Sequence, residues 1–365
     1  MMFLNPWQGA LERMQALVQR LCAPSCGGRA AGTREGQEAR ALLIDALEGA
    51  GIEPAGPVGY LQPVPGCGGA NVLAQVRGSG PYQDRLVLVC AHYDHLGWHT
   101  PGQEAFWGAD DNAAALAITL ELGRVLRAMP AGLGRTVLLC FFDGEEPPFF
   151  LTKGMGSEHF ASRPTVPLSS IDLMICLDLV GHAVGPERLP AALRQSLFVL
   201  GAEKSEGTAA LVDGLAEAVP GVRPVRLGID LLPPLSDYHP FQKRGVPFLF
   251  LTCGRWRHYH QVTDTPDRLD YNKMLAIARW LEVLVRQVAQ RPEPAVAFLP
   301  HGRDDQATLE SLWTCLSLLV PWFARGRELL RRVEVLRHAA RGRLLTAEEL
   351  EQTALLVGEV EALLA

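Results

Sequence analysis

The residues best suited to chemistry lie between Leu86 and Asn112. An apolar run, Leu86-Val87-Leu88-Val89-Cys90, leads directly into His92-Tyr93-Asp94-His95-Leu96-Gly97. After a short loop, Gly108-Ala109-Asp110-Asp111-Asn112 opens a helical pattern. A buried strand ending in His-x-Asp, with an Asp pair close behind it, is the beginning of a metal site. The imidazole of His92 can bind an ion through one nitrogen. Asp94, two residues further along extended backbone, points the same way and can accept the other N–H. Asp111 adds a hard oxygen ligand close by.

Three further apolar runs end in the same manner. Val137–Phe142 runs into Asp143-Gly144-Glu145-Glu146, and Asp172–Leu177 runs into Asp178. Val246–Thr252 leads through a short loop to His258-Tyr259-His260. In open α/β sheets ligands gather beyond the carboxyl ends of the strands. Two histidines (His92, His260) and three carboxylates (Asp111, Glu146, Asp178) are therefore expected to converge, with Glu145 to spare. A single structural zinc prefers four closed ligands, usually including thiolates. A set without cysteine suits two zinc ions about 3.5–4 Å apart, bridged by one carboxylate. Asp111 is the expected bridge. His92 and Asp178 complete one ion, and Glu146 and His260 complete the other. Adjacent side chains on extended backbone diverge, so Glu145 is left beside the ions as a general base. It would act on a metal-bridging hydroxide whose parent water has its pKa brought toward ~7.

Asp237, in Ser236-Asp237-Tyr238-His239-Pro240-Phe241, is expected to support Asp178 or Glu145 through a hydrogen bond. Asp110 or Asn112 is expected to cap the following helix, where a side-chain oxygen satisfies free backbone N–H groups. His95, His99, His159, His182, His239, His258, His301 and His338 read as surface or supporting residues. Trp98, Trp107, Phe149, Phe150 and Trp256 flank these segments and either line an apolar pocket or pack locally.

The elements that must hold these residues alternate between apolar strands and helices. This predicts a three-layer α/β/α fold with a mixed, mostly parallel sheet and helices on both faces. The strands lack polar alternation, as in a sheet covered on both sides. Helices are expected over 8–21, 38–47, 113–126, 205–218 and 271–289, and strands over 71–76, 86–90, 136–142, 172–177, 197–200 and 246–252. Arg291-Pro292-Glu293-Pro294 breaks the composition. It divides the chain into an α/β catalytic domain, 1–292, and an all-helical extension, 293–365. Thr346-Ala347-Glu348-Glu349 reads as a helix start in the extension. The extension carries no evident chemistry and is expected to pack on the sheet domain or to join two copies of the chain.

Among the 365 residues, 48% are hydrophobic, and 34 basic side chains face 40 acidic ones, for a net charge of −6. That balance offers no footprint for nucleic acid, and there is no basic amphipathic run for a membrane surface. No apolar window of about 18 residues predicts a membrane span. The stretch Met1-Met2-Phe3-Leu4-Asn5-Pro6-Trp7 lacks the charged and apolar regions of a signal peptide. The eight cysteines form no CxxC pair, and Cys90, Cys140 and Cys176 sit inside apolar runs. A reduced, cytoplasmic protein is therefore expected.

As an ordered set the motifs resemble the co-catalytic dizinc aminopeptidases, a family that also holds the glutamate carboxypeptidases and animal-type glutaminyl cyclases. The matching segments run from Gly28-Arg29-Ala30-Ala31-Gly32-Thr33 through Ala91–Gly97, Gly108–Ala113, Asp143–Glu146, Gly156-Ser157 and Leu177–Gly181 to Tyr259–Thr265. The resemblance spans about Gly27 to Val288 and does not reach past Pro292. It implies the same bridging role for Asp111 and base role for Glu145. Pro147–Met155, Phe141–Glu146 and Phe241–Pro247 look more like glutaminyl cyclases. Tyr259-His260, His92–Gly97 and Asp110-Asp111-Asn112 lean to the aminopeptidases.

The expected activity is that of a zinc-dependent aminopeptidase acting on peptides with a free N-terminus and holding two zinc ions. The alternative is a glutaminyl-peptide cyclase with a single zinc, in which the substrate's own α-amine attacks. A non-catalytic relative would show lost ligands, and here every ligand position is filled.

Overall fold

The computed structural model describes residues 5–129, 132–292 and 296–365. Met1–Leu4, on which part of the signal-peptide expectation rests, and part of the break at 291–294 lie outside the described residues. The strands are β1 (Glu53–Pro54), β2 (Leu61–Val64), β3 (Gly69–Val76), β4 (Leu86–His92), β5 (Trp98–Thr100), β6 (Glu104–Ala105), β7 (Thr136–Phe142), β8 (Ile171–Leu177), β9 (Ser196–Leu200), β10 (Arg223–Leu227) and β11 (Phe248–Thr252). Nine of them form one sheet in the order β1-β3-β7-β4-β8-β11-β9-β10, with β2 beside β3, while β5 and β6 form a separate hairpin. The centre, β7-β4-β8-β11, is parallel, and β3 and β9 flank it antiparallel.

Every residue of β4, β7, β8 and β11 is buried. Alternate residues feed two separate cores, as the period of two requires. Val87, Val89, Val137, Leu139, Ile175 and Leu251 join the helices Ala10–Leu21, Ala114–Arg127 and Tyr271–Ala289 on one face. Leu88, Cys90, Leu138, Cys140, Cys176 and Phe250 meet Phe160 and Phe241 from two short helices on the other. The three-layer expectation is met.

Helix 271–289 and strand 136–142 fall as expected, and most other elements differ by a residue or two at their ends. The expected helix over 205–218 is shorter, Thr208–Gly214. Gly207 takes left-handed backbone just before it, and Ser205 is drawn into a bridge with Phe298. The sequence reading lacked β2 and β10. Each carries a proline and alternates weakly, as edge strands do.

The extension consists of three helices, Asp305–Leu319, Gly326–Ala339 and Ala347–Leu364. Thr346 caps the third in a reciprocal box with Glu349. The first helix lies against β10, the last strand of the sheet, and its Leu309, Leu312 and Leu316 enter the same core as the first face. Arg226 of β10 pairs with Asp304 at 2.7 Å, and Gly228 N–H donates to Thr308 Oγ1 at 2.9 Å. No helix among the described residues is long and apolar enough to cross a membrane. All eight cysteines are free and buried.

Candidate metal centre

Beyond the carboxyl ends of the central strands lie all the residues that the motifs singled out. His92 is the last residue of β4, and Asp143-Gly144-Glu145-Glu146 follows β7. Asp178 follows β8, and His260 sits on the loop after β11. His92 Nε2 stands 3.2 Å from Asp111 Oδ1, 3.6 Å from Asp178 Oδ1 and 3.8 Å from Glu145 Oε2. His260 Nε2 stands 3.2 Å from Asp111 Oδ2 and 3.1 Å from Glu146 Oε2. Asp111 thus turns one oxygen to each histidine.

Among the described residues, two three-residue groups have ligand atoms close enough to share an ion: His92 with Asp111 and Asp178, and His95 with Asp111 and Glu146. Donors bonded to one tetrahedral zinc at about 2.0–2.2 Å stand about 3.3–3.6 Å apart. The spacings around His92 and His260 fall close to that range. His92 Nε2 is buried, faces carboxylates and makes no hydrogen bond. The residues therefore fit a metal.

His95 is the residue that sequence reasoning set aside. It is buried, and its Nδ1 lies 2.7 Å from Glu146 Oε1. The signal was present: directly after a strand-end His-x-Asp, a third polar side chain has little room to leave the site. Asp94 also works differently from the expectation. Its main-chain oxygen, at 3.1 Å, meets His92 Nδ1, whereas its carboxylate stands 3.7 Å from that nitrogen. The carboxylate instead accepts the backbone N–H groups of Glu145 and Glu146 at 3.0 and 3.1 Å, fixing the turn that presents both. Asp237 is fully buried close to the cluster but makes no hydrogen bond through either oxygen, so the expected bond to Asp178 or Glu145 is not formed.

The Asp111 loop is held by groups far apart in sequence. Asp264 accepts the N–H groups of Asp110 and Asp111, and buried Arg29 donates to the carbonyls of Tyr93, Trp107, Gly108 and Asp111. Neither Asp110 nor Asn112 caps the helix, which begins at Ala114 without a side-chain cap. Asp110 instead binds Gly181 N–H and His182, and Asn112 donates to Leu177 O. Both side chains tie the loop to the end of β8. Gly108 is needed here, since it has φ +58° and an added Cβ would lie 2.2 Å from Asp111 O. His260 and Leu179 take left-handed backbone (φ 54° and 55°), which costs such residues about 1–3 kcal/mol. Of the flanking aromatics, Phe150 lines the adjoining cavity, Trp98 and Trp107 pack edge to face, and Trp256 stacks on His182.

Crowding the acids together perturbs their titration. Burial pushes Glu145 well above the usual carboxylate range, and nearby Asp178, Glu146 and Asp237 add to this against His92. Burial pushes Asp111 the same way, but His260, His92 and His95 outweigh it and hold it well below its ordinary value. Burial disfavours charge on His260, yet Asp111 and Glu146 raise it to about 10. Asp237 is pushed up to about 7, chiefly by burial. Such a buried surplus of negative charge is what a cation site requires.

A parallel-centred sheet with clustered histidines and carboxylates at its strand ends defines an α/β domain with a metal-competent site. Residues 71–285 match the model of peptidase family M28, and the chain belongs to that family. The Escherichia coli (strain K12) protein YfbL is 31% identical over 245 residues, covering 59% of this chain and 71% of its own. A glutaminyl-peptide cyclotransferase of Boiga dendrophila is 29% identical over 244 residues, covering 59% of this chain and 64% of its own. The LapA aminopeptidase of Legionella pneumophila shares the fold with a TM-score of 0.59 at 15% identity, covering 78% of this chain and 75% of that one.

Proposed function

We propose that this chain is a zinc-dependent aminopeptidase that hydrolyses the N-terminal peptide bond of substrates with a free α-amine. The observation that carries the reading is the division of Asp111: Oδ1 faces His92 and Oδ2 faces His260. His92, Asp178 and Asp111 would hold one zinc, and Glu146, His260 and Asp111 a second. When bound, zinc polarises a carbonyl oxygen and acidifies water. His95 braces Glu146 by a hydrogen bond to Oε1, leaving Oε2 for the ion. Glu145 removes the proton of the attacking water and returns it to the leaving amine. Burial raises its affinity for a proton, as this task near neutral pH demands. Asp94 aims Glu145 and Glu146 through their N–H groups, and Asp237 contributes charge rather than a hydrogen bond. The surplus of carboxylates receives the cationic α-amine, which favours chain ends over chain interiors.

Residues 1–292 form the catalytic unit in this reading, and 293–365 an extension through which copies could pair. The free cysteines suit a reducing compartment, in keeping with a cytoplasmic enzyme. The cyclotransferase relatives favour one second reading, in which Glu145 takes the proton of the substrate's own amine and one zinc suffices. Assaying the zinc-loaded protein side by side on leucyl-amide and glutaminyl peptides separates the two. Hydrolysis of the amide with about two zinc per chain is expected. Pyroglutamate formation without amide cleavage, and about one zinc, would replace the first reading with the second.

A further inference from the structure

We infer that the C-terminal helices form the specificity wall of the active site, selecting substrates whose N-terminal side chain is large and apolar. The inference rests on the proposed aminopeptidase reading and names its substrate class.

A cavity of about 290 Å³ opens onto Asp111, Glu145, Glu146, Asp178 and His260. Away from these acids its catalytic-domain wall is mostly apolar, with Phe150, Phe198, Leu200, Leu232 and Phe250 beside Thr252, Arg255 and Tyr259. The opposite wall comes from the extension. Leu312 and Cys315 project from its first helix, and Val357, Val360 and Leu364 from its third. Spacings of three, and of three and four, place each set on a single helix face. All five are buried. The family match covers residues 71–285, so the helices that form this wall lie outside the matched segment.

The wall is anchored to the chemistry. Arg255, on the loop that carries His260, pairs with Glu361 of the third helix at 2.7 Å, and its N–H donates to Glu361 Oε1 at 3.1 Å. Both residues line the cavity, and each answers the other's charge. The first helix is fastened to the sheet edge through Asp304 and Thr308. Charge not matched within the lining is therefore concentrated at the metal end, where a free amine and a carbonyl belong. The remainder offers apolar surface to the side chain between them, such as that of Leu, Met or Phe. A charged side chain there would be stripped of water without a partner.

The test uses the full-length, zinc-loaded chain. Val360→Trp fills the cavity, and Leu364→Ala, a truncation of one lining side chain, enlarges it. Circular dichroism checks both variants. The readout is the ratio of kcat/KM for phenylalaninamide over alaninamide. Val360→Trp should lower this ratio about 10-fold or more, and Leu364→Ala should raise the ratio for naphthylalaninamide over phenylalaninamide by a similar factor. If Val360→Trp does not fold, Leu364→Ala decides. Unchanged ratios in an enzyme that cleaves amides would overturn the wall and leave the aminopeptidase reading intact. If the native chain cleaves no amide, that reading fails, and calorimetric binding of the two amides to zinc-loaded Glu145→Gln decides instead. Tighter binding of phenylalaninamide, abolished by adding Val360→Trp, would support the wall. Equal binding of both amides would overturn it.

Discussion

The metal centre and the C-terminal extension spend their polar residues in opposite ways. At the centre, buried acids are held by backbone donors: Asp94 by Glu145 and Glu146, and Asp264 by Asp110 and Asp111. In the extension, ion pairs such as Arg325–Glu359 and Arg343–Glu349 lie on the surface, while one apolar face turns inward. Buried polar groups must be matched one by one, whereas exposed pairs contribute little. A substitution at the centre should therefore be felt in chemistry and metal affinity, and one in the extension in stability or substrate choice.

The largest expected effect is on the base. Glu145→Gln should lower kcat about 10²–10⁴-fold while zinc content by elemental analysis stays at the native level. Near-native turnover would remove Glu145 from its role. Next come the braces. His95→Ala or Asp94→Asn should weaken zinc about 10–100-fold in competition with a chelator, with the fold retained by circular dichroism. If neither changes affinity, the contrast between the two regions loses its basis. Asp264→Asn should destabilise the chain by about 1–3 kcal/mol in denaturant unfolding, since two oxygens accept from the buried N–H groups of Asp110 and Asp111 and the amide keeps only one.

The extension should yield smaller numbers. Thr346→Ala removes a helix cap and should cost about 1 kcal/mol, read from the same unfolding curves. Glu349, bonded to Arg343, is held at about 2. A carboxyl depressed in the folded state adds stability above its ordinary range and loses it as pH falls toward that value. Both groups are exposed, so salt should erase the effect. A pH or salt response here as large as a loss at the centre would break the comparison.

Much of the centre could be read in advance because strand ends are short-range features. An apolar run that ends within three residues of His92, Glu145 or Asp178 places that side chain at the sheet edge whatever the rest of the chain does. What escaped notice depended on contacts distant in sequence. The carboxylate of Asp94 turns to the Glu145–Glu146 backbone 51 and 52 residues away, and Arg29 reaches the Asp111 carbonyl 82 residues on. Asp110 was expected to cap its own helix, yet it binds Gly181 across the sheet. Local propensity favours the cap, but the buried Gly181 N–H and His182 ring compete for the same oxygens. The helical character of the extension and the start of its third helix at Thr346 were legible in the sequence. The place of these helices as one wall of the active-site cavity was not, because nothing in an amphipathic stripe says what it will face.

Zinc content of native and Asp111→Ala proteins, purified and equilibrated in parallel, tests the central claim most directly. About two zinc per native chain are expected, with loss of both ions, together with activity, in Asp111→Ala. An Asp111→Ala chain that keeps its full complement of zinc would contradict that claim.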